Sequence, residues 1–388
     1  MAEHLPQADW TKRRGLSALI EALGTGNARY VGGAVRDTLL GLAVKDIDLA
    51  TPLPPQEVVE KLDAAKIRSI PTGIDHGTIT AVLPEGPVEI TTLRHDVSTD
   101  GRRATVAFAS EWEDDAARRD FTINALYADP ASLEIFDYFG GLDDLAHRRV
   151  RFIGEARQRI REDHLRILRY FRFQARFGSQ PADPESENAC SEMSATLKGL
   201  SRERIGMETM NLLGLPNPAP TINRMAELGV LEVILPEALP HALHDLIEHE
   251  MGQGVEPDPM RRLSALLPPD AALAQQVASR FRFSNQQKKR LVTAAERLGE
   301  PGEARALAYR LGHQQALDRL LLFGADISSL EDWEIPAFPL KGGEIVARGV
   351  AAGPEVARIM QAVEAKWISE GFPDRDRIEQ ILADELAT

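Results

Sequence analysis

The chain has 388 residues, a formal net charge of −14 and one cysteine, Cys190. That length exceeds what a single core normally supports, so two or more domains are expected. A lone cysteine excludes an intramolecular disulfide and a cysteine-held zinc. No apolar run is long enough to span a bilayer, and "MAEHLPQADWTKRRG" lacks the apolar core of a signal peptide, so a cytoplasmic protein is expected. An acidic total argues against a phosphate-binding surface, but the basic residues are clustered unevenly, and local charge decides binding.

In chain order, "ARYVGG" reads as a strand, residues 34–40 as a short helix and "KDIDLAT" as a second strand. "PPQEVVEKLDAA" opens with prolines and continues at helical spacing. "HGTITAVL" and "VEITTLR" alternate like strands joined by the turn "PEGP". "FTINAL" reads as an apolar helix behind the charged cluster Arg118, Arg119 and Asp120. From about Glu155 the period becomes helical. "RQRIREDHLRILRYFRFQARFG" reads as one helix ending at Gly178 as its C-cap, and the remainder as helical segments broken by Pro and Gly. The expected fold class is an α+β head, a mixed sheet with flanking helices, followed by an all-α part. The expected boundaries are a head over 1–154, a helical neck over 155–215 and a helical body and tail over 216–388.

The chemistry concentrates in the head. Asp46 and Asp48 are two apart on a strand and project to one side. Hard oxygens grouped in this way suit Mg²⁺, and Glu89 is the candidate third carboxylate of a two-metal site. A bare D-x-D by itself reads as a turn residue, Asp46, and a solvated one, Asp48. The preceding "GGAVRD" shifts the balance. Gly32 and Gly33 let backbone N–H groups approach an anion at a helix start, and Arg36 adds positive charge one turn in. A phosphate cradle then lies beside a metal site. No G-K-[ST] follows, so this is not a P-loop.

"VGGAVRDTLLGLAVKDIDLAT" resembles the signature of the class II tRNA nucleotidyltransferases and bacterial poly(A) polymerases, within the DNA polymerase β-like nucleotidyltransferase superfamily. The resemblance continues in family order to about Glu208. "GRRATVAF" is similar to the flexible-loop region and "RRDFTINALYAD" to the motif that contacts sugar and triphosphate. "FDYFGGLDDL" is similar to the hinge between head and neck. "EDHLRILRYFRFQARF" is similar to the base-selecting neck helix, and "LSRERI" to the helix that supports it. The resemblance implies that Arg119 meets the triphosphate and that Asp120 or Asn124 meets the ribose. The structural alternative for the charged cluster is a solvated helix start.

Asp163 and Arg166 are three apart, so on one helix they share a face. By themselves they read as an ion pair. Cytosine and adenine each present an amino donor beside a ring-nitrogen acceptor, whereas uracil and guanine present a carbonyl beside an N–H. A carboxylate accepts and a guanidinium donates, so the pair fits C and A and opposes U and G. The family uses such a pair as a protein template. Glu162 is expected to orient Arg166, and Arg169 to reach phosphate or base. Arg172 and Arg176 extend the stripe toward RNA or solvent.

The expected activity is addition of C, C and A to the tRNA 3′ end from CTP and ATP, with Mg²⁺. The same head would serve a poly(A) polymerase or a CC-only or A-only enzyme, and a different class of reading is a non-catalytic RNA-binding module. A long loop from His95 to Ser110 favours C addition by resemblance. No basic tail of the kind seen in bacterial poly(A) polymerases is present. His244-Asp245 has no partner histidines at a recognisable spacing, so no phosphohydrolase is expected. Arg282 with Lys288, Lys289 and Arg290 of "NQQKKR" forms a candidate tRNA contact, or equally a solvated helix face.

Overall fold

The computed structural model describes residues 4–74, 77–100, 103–109, 111–297 and 299–387. Nine strands are described: β1 (Arg29–Val31), β2 (Ile47–Thr51), β3 (Ser69–Gly73), β4 (Thr78–Leu83), β5 (Gly86–Thr92), β6 (Arg94–Asp100), β7 (Arg103–Phe108), β8 (Leu126–Ala128) and β9 (Ile135–Asp137). Seven form one mixed sheet in the order β3-β4-β5-β2-β1-β8-β9, in which β2 and β5 run parallel and the other neighbours antiparallel. The middle strands are apolar, and Leu49, Ala50, Leu126, Tyr127 and Ala128 are fully buried. Such strands need cover, which comes from α1 (Leu16–Leu23), α2 (Gly33–Leu39) and α3 (Pro55–Ala64). Helix α2 packs on β1, β2 and β8, and α3 on β3 and β4.

Two sequence expectations change here. "FTINAL" is not a helix: Thr122–Asn124 make one 3-10 turn, and Leu126–Ala128 enter the sheet as β8 between β1 and β9. A short, apolar-rich run serves the entry to a central strand as well as a helix, and periodicity cannot separate the two. The expected loop from His95 to Ser110 is built from β6 and β7, which pair as a separate two-stranded ribbon. Residues 101–102 and 110 lie outside the described residues.

Helices α4 (Trp112–Ala117) and α5 (Gly141–Ala146) complete the head. The chain continues as α6 (Ala156–Glu162), α7 (Arg166–Phe177), α8 (Pro184–Glu192), α9 (Arg202–Leu213), α10 (Ala219–Glu227) and α11 (Val230–Ile234). The head and these helices share one core. Phe121 lies 4.9 Å from Phe173 and 5.1 Å from Phe152, and Phe152 stacks on Tyr170 at 5.8 Å. The compact units of the chain accordingly part at Pro236/Glu237. The boundaries expected after residues 154 and 215 fall inside the first unit.

The second unit, Glu237–Thr388, is all helix among its described residues: α12 (Pro240–Gly252), α13 (Pro259–Leu266), α14 (Ala271–Arg280), α15 (Asn285–Ala295), α16 (Ala304–Leu311), α17 (His313–Leu322), α18 (Gly342–Val346), α19 (Pro354–Ser369) and α20 (Arg375–Leu386). Ser284 opens α15 through a capping box with Gln287. Between α12 and α13 lies a buried ionic knot. Glu250 accepts from Arg261 and from Arg262, both at 2.8 Å, and the three residues are 1–2 % exposed. Arg290 on α15 joins Asp318 at 2.6 Å and Asp258 at 2.9 Å. Removing one partner of a buried pair leaves charge in a low-dielectric core. Glu250→Ala should therefore cost about 3–5 kcal/mol of stability in urea denaturation. A loss below about 1 kcal/mol would show that the two guanidinium groups do not depend on Glu250.

Candidate active site

The turn that follows β1 brings the glycines to the mouth of a cleft. Gly32 has φ 66° and ψ −120°, a conformation that side-chain-bearing residues avoid, and a Cβ there would stand 3.3 Å from Arg119 Nη1. Its N–H donates to the carbonyl of Leu126 at 3.2 Å, so this donor is spent within the fold. Arg36, 6 % exposed, donates to Asp37 at 2.7 Å and to the side-chain oxygen of Asn124, and lies 4.1 Å from the centre of the Phe177 ring. Positive charge here is anchored rather than free to swing.

Strand β2 begins at Ile47, so Asp46 stands at its threshold and Asp48 within it. Both line a 230 Å³ cleft with Lys45 and Arg176. On the neighbouring parallel strand, Glu89 is in register with Asp48. Burial pushes the Asp48 carboxyl up to about 6, and the negative charges of Glu89 and Asp46 add to that rise while Arg119 opposes it. Crowded carboxylates of this kind favour a cation between them.

Beyond β7, α4 delivers Arg118–Asp120 to the cleft. The Arg119 guanidinium donates to Asp115 at 3.1 Å and to the Tyr127 hydroxyl at 3.1 Å, and that hydroxyl donates to Asp115 at 2.7 Å. Asp115 is 2 % exposed. One Asp120 oxygen accepts from Phe121 N at 2.9 Å and Asn124 Nδ2 at 3.0 Å, and the other from Arg169 at 2.6 and 2.8 Å. Burial alone would raise the Asp120 carboxyl, but Arg169 and Asn124 hold it below the usual carboxylate range.

The neck contributes the opposite wall. The single helix expected from residue 157 to the cap at Gly178 breaks at Asp163, which is extended (φ −149°, ψ 106°) and ends α6. Its Oδ1 accepts from Leu165 N at 3.0 Å, a local bond that competes with helix continuation. Arg166 then opens α7. Asp163 and Arg166 therefore do not pair on one helical face. Asp163 Oδ2 accepts from Arg204 of α9 at 2.7 Å, whereas Arg166 donates to Glu162 and, at 2.8 Å, to the carbonyl of Arg159. Both still line one 630 Å³ cleft with Gly32, Asp48, Arg119 and Arg169. Gly178 is the C-cap of α7, as expected, with φ −78°. A Cβ there would lie 2.3 Å from the Gln174 side chain, so close packing and not a positive φ calls for glycine.

Sequence reasoning missed Asp115, Arg159 and Arg204, which touch the named residues rather than standing out by spacing. Arg172 goes to Glu208 at 2.7 Å and Arg176 to Asp37 at 3.3 Å. Arg282, Lys288, Lys289 and Arg290 belong to the second unit. Arg282 and Lys289 are exposed, Lys288 reaches Ser279 at 3.4 Å, and Arg290 is turned to Asp258 and Asp318. Among the described residues no helix is long and apolar enough to cross a membrane.

The poly A polymerase head domain model matches residues 28–151, and a model described as a probable RNA and SrmB-binding site of polymerase A matches residues 182–241. The human mitochondrial CCA tRNA nucleotidyltransferase 1 is 35% identical over 379 residues, covering 92% of this chain and 87% of that protein. A CCA-adding enzyme of Geobacillus stearothermophilus is 39% identical over 206 residues, 53% of this chain and 50% of the relative. The fold matches the crystal structure of the Bacillus stearothermophilus CCA-adding enzyme in complex with CTP, with TM-score 0.70 and 24% identity over 95% of this chain and 96% of that one. It also matches the Thermotoga maritima enzyme complexed with tRNA, at 0.69 and 21% over 93% and 91%. With its polymerase-β-like head, its helical neck and a relative alike along nearly its whole length, the chain belongs to the family of the CCA-adding tRNA nucleotidyltransferases and bacterial poly(A) polymerases, and is a nucleotidyltransferase.

Proposed function

We propose that the chain adds C, C and A to the 3′ end of tRNA, taking CTP and ATP and releasing pyrophosphate, with no nucleic-acid template. The observation that carries the reading is the placement of Asp163 and Arg166 on the same cleft as Asp48 and Arg119. A base-edge reader and a nucleotidyl-transfer centre then face one substrate-sized space. The names of the relatives favour CCA addition over poly(A), CC-only or A-only addition. Incubating the protein with tRNA ending at the discriminator base and with tRNA ending in CC, each with CTP, with ATP and with both, and measuring product length, separates these activities. Extension of the first tRNA by three residues only when both nucleotides are present is expected; two residues from CTP and none from ATP on either tRNA marks CC-only addition, one residue on the CC-ended tRNA alone marks A-only addition, and a long run from ATP marks a poly(A) polymerase.

The donor set fits a divalent cation. Asp46, Asp48 and Glu89 offer only hard oxygens, and Asp48 is held in mutual repulsion with both. Among the described residues no three such groups form a closed cage. Mg²⁺ needs none, because it takes one or two carboxylates and fills its shell with water and substrate phosphate. Asp46 and Asp48, assisted by Glu89, would hold two Mg²⁺ ions. Bound there, the ions would make the 3′-hydroxyl more acidic and neutralise the departing pyrophosphate. Arg119 would meet the triphosphate, and Asn124 or Asp120 the ribose. Asp163 would accept from the amino group of C or A while Arg166 donates to the ring nitrogen. Arg282, Lys288 and Lys289 would contact tRNA phosphates; Arg290, held by two aspartates, is the weakest member of that set.

The template reading makes a selective demand. Asp163→Ala should relax exclusion of UTP and GTP by about ten- to a hundredfold, because a hydrogen bond to a charged group contributes roughly 1.5–3 kcal/mol. Arg166→Ala should do the same and also slow transfer, since the base is then poorly placed for in-line attack. Single-turnover incorporation of each of the four NTPs gives the answer. Variants that still reject UTP and GTP like the parent would reduce the residues to structural ion pairs.

The metal reading makes a pH-dependent one. The folded-state value for Asp48 is about 6 against an ordinary 3.8, so the folded protein holds the extra proton between about pH 4 and pH 6. Stability is thereby lost as pH rises through that window, and the full cost persists above it. Asp48→Asn should remove the cost. The variant should be inactive yet more stable than the parent at pH 8, by on the order of 1–2 kcal/mol after allowance for solvent screening, with no difference below about pH 4. Thermal melts in chelator across pH 4–8 test this. Equal melting of the two proteins at pH 8 would remove the repulsion argument.

A further inference from the structure

Helix α4 ends at Ala117, and its last carbonyls, like those of any helix C-terminus, have no partner within the helix. The neck supplies the partners. Arg159 Nη2 donates to the carbonyls of Ala117 and Arg119, both at 2.8 Å. Arg166 Nη2 donates to the carbonyl between them, that of Arg118, at 3.2 Å. Three consecutive carbonyls are thus taken by two guanidinium groups. Those groups share one carboxylate: Arg159 Nη1 donates to Glu162 Oε1 at 3.0 Å, and Arg166 Nη1 to Glu162 Oε2. Arg166 Nη1 also donates to the carbonyl of Arg159 at 2.8 Å. The side chains of Arg159, Glu162 and Arg166 are only 11–14 % exposed.

We infer that Arg159 is a positioning residue that locks the base-reading end of the site to its triphosphate end. The inference rests on the proposed reading of Arg166 as base reader and Arg119 as triphosphate ligand. Arg159 touches neither the base nor the phosphate on that reading. It fixes Arg166 through Glu162, and it fixes the backbone from which Arg119 extends. A planar fork with several donors in fixed directions can do both at once, whereas an ammonium is a single point of attachment. The consequence is mechanical. A base that sits correctly against Arg166 finds the triphosphate seat at one set distance, and a base that sits badly carries its α-phosphate out of line. Selection at the base edge thereby becomes selection in rate.

A helix cap with no such role would affect stability alone, so the test reads selectivity. Single-turnover incorporation of CTP and UTP onto tRNA lacking CCA is measured for the parent, Arg159→Met, Arg159→Lys, Arg166→Ala and the Arg159→Met/Arg166→Ala double variant. Arg159→Met should lower CTP-over-UTP discrimination about tenfold and raise KM for CTP. In the Arg166→Ala background it should lower discrimination no further, because it acts through Arg166. Arg159→Lys keeps the charge without the fork and should lose about threefold in discrimination; it carries the test if the methionine variant does not fold. Parent-like discrimination in a folded Arg159 variant, or losses that multiply in the double variant, would overturn the inference. A parent enzyme that itself accepts UTP would defeat the template reading instead. The coupling is then judged on the KM of the nucleotide that is added: a rise with either Arg159 variant supports it, and an unchanged KM overturns it.

Discussion

Guanidinium groups pinned by carboxylates and carbonyls are the constraint on which the cleft depends. Arg36 is held by Asp37 and Asn124, Arg119 by Asp115 and Tyr127, Arg166 by Glu162, Arg169 by Asp120 and Arg204 by Asp163. Each pairing removes the rotamer entropy of a long side chain before any ligand arrives. Lysine would not serve equally, since its donors all sit on one freely rotating nitrogen and lack the planar fork that fixes the direction of the charge. The acidic residues of the cleft act as scaffolding for positive charge, and this is how a chain of net charge −14 can hold a group of guanidinium side chains at one cleft, as the proposed phosphate-binding role requires.

The same device explains the break in the neck. A continuous helix through residue 163 would have set Asp163 and Arg166 on one face, where they would neutralise each other. The extended Asp163 gives each its own partner, on α9 and on α6 respectively. Both line the cleft as separate groups, one accepting and one donating. Discrimination between base edges requires this separation, because an ion pair closed on itself has little left to offer a ligand.

Legibility in the sequence followed range. The glycine turn, the short helix after it, β2, α3 and the β4–β5 hairpin were readable because local spacing and turn chemistry decide them. The family's ordered motifs likewise brought Gly32, Asp48, Arg119, Asp163 and Arg166 to attention, and all of them line one cleft. "FTINAL" was misread as a helix because six residues are too few for periodicity to separate a helix from a single 3-10 turn that runs into a buried strand. Arg204 was invisible because its partner Asp163 lies 41 residues away; Asp115 is only four residues before Arg119 but sits in the acidic run "EDD", and only its burial and its bond to Tyr127, 12 residues on, single it out. Arg290 looked like a member of a basic surface patch. Asp258 and Asp318, 32 and 28 residues off in the chain, pin it half-buried against the fold, and no local pattern reveals that.

On the proposed reading, these long-range bonds also bear on how one site can accept two bases and reject two. Cytosine and adenine differ in size but share the edge that a donor and an acceptor can read, so a reader need not move to accommodate the pair if it is fixed relative to the phosphates. Rigidity is then needed between the two ends of the nucleotide rather than around the base. In this fold the aromatic cluster of Phe121, Phe152, Tyr170 and Phe173 supplies it at the level of the core. The Asp120–Arg169 pair and the bonds of Arg159 and Arg166 to residues 117–119 supply it at the level of the backbone. On the proposed reading, joining head and neck in one compact unit lets selection at the neck be felt at the head.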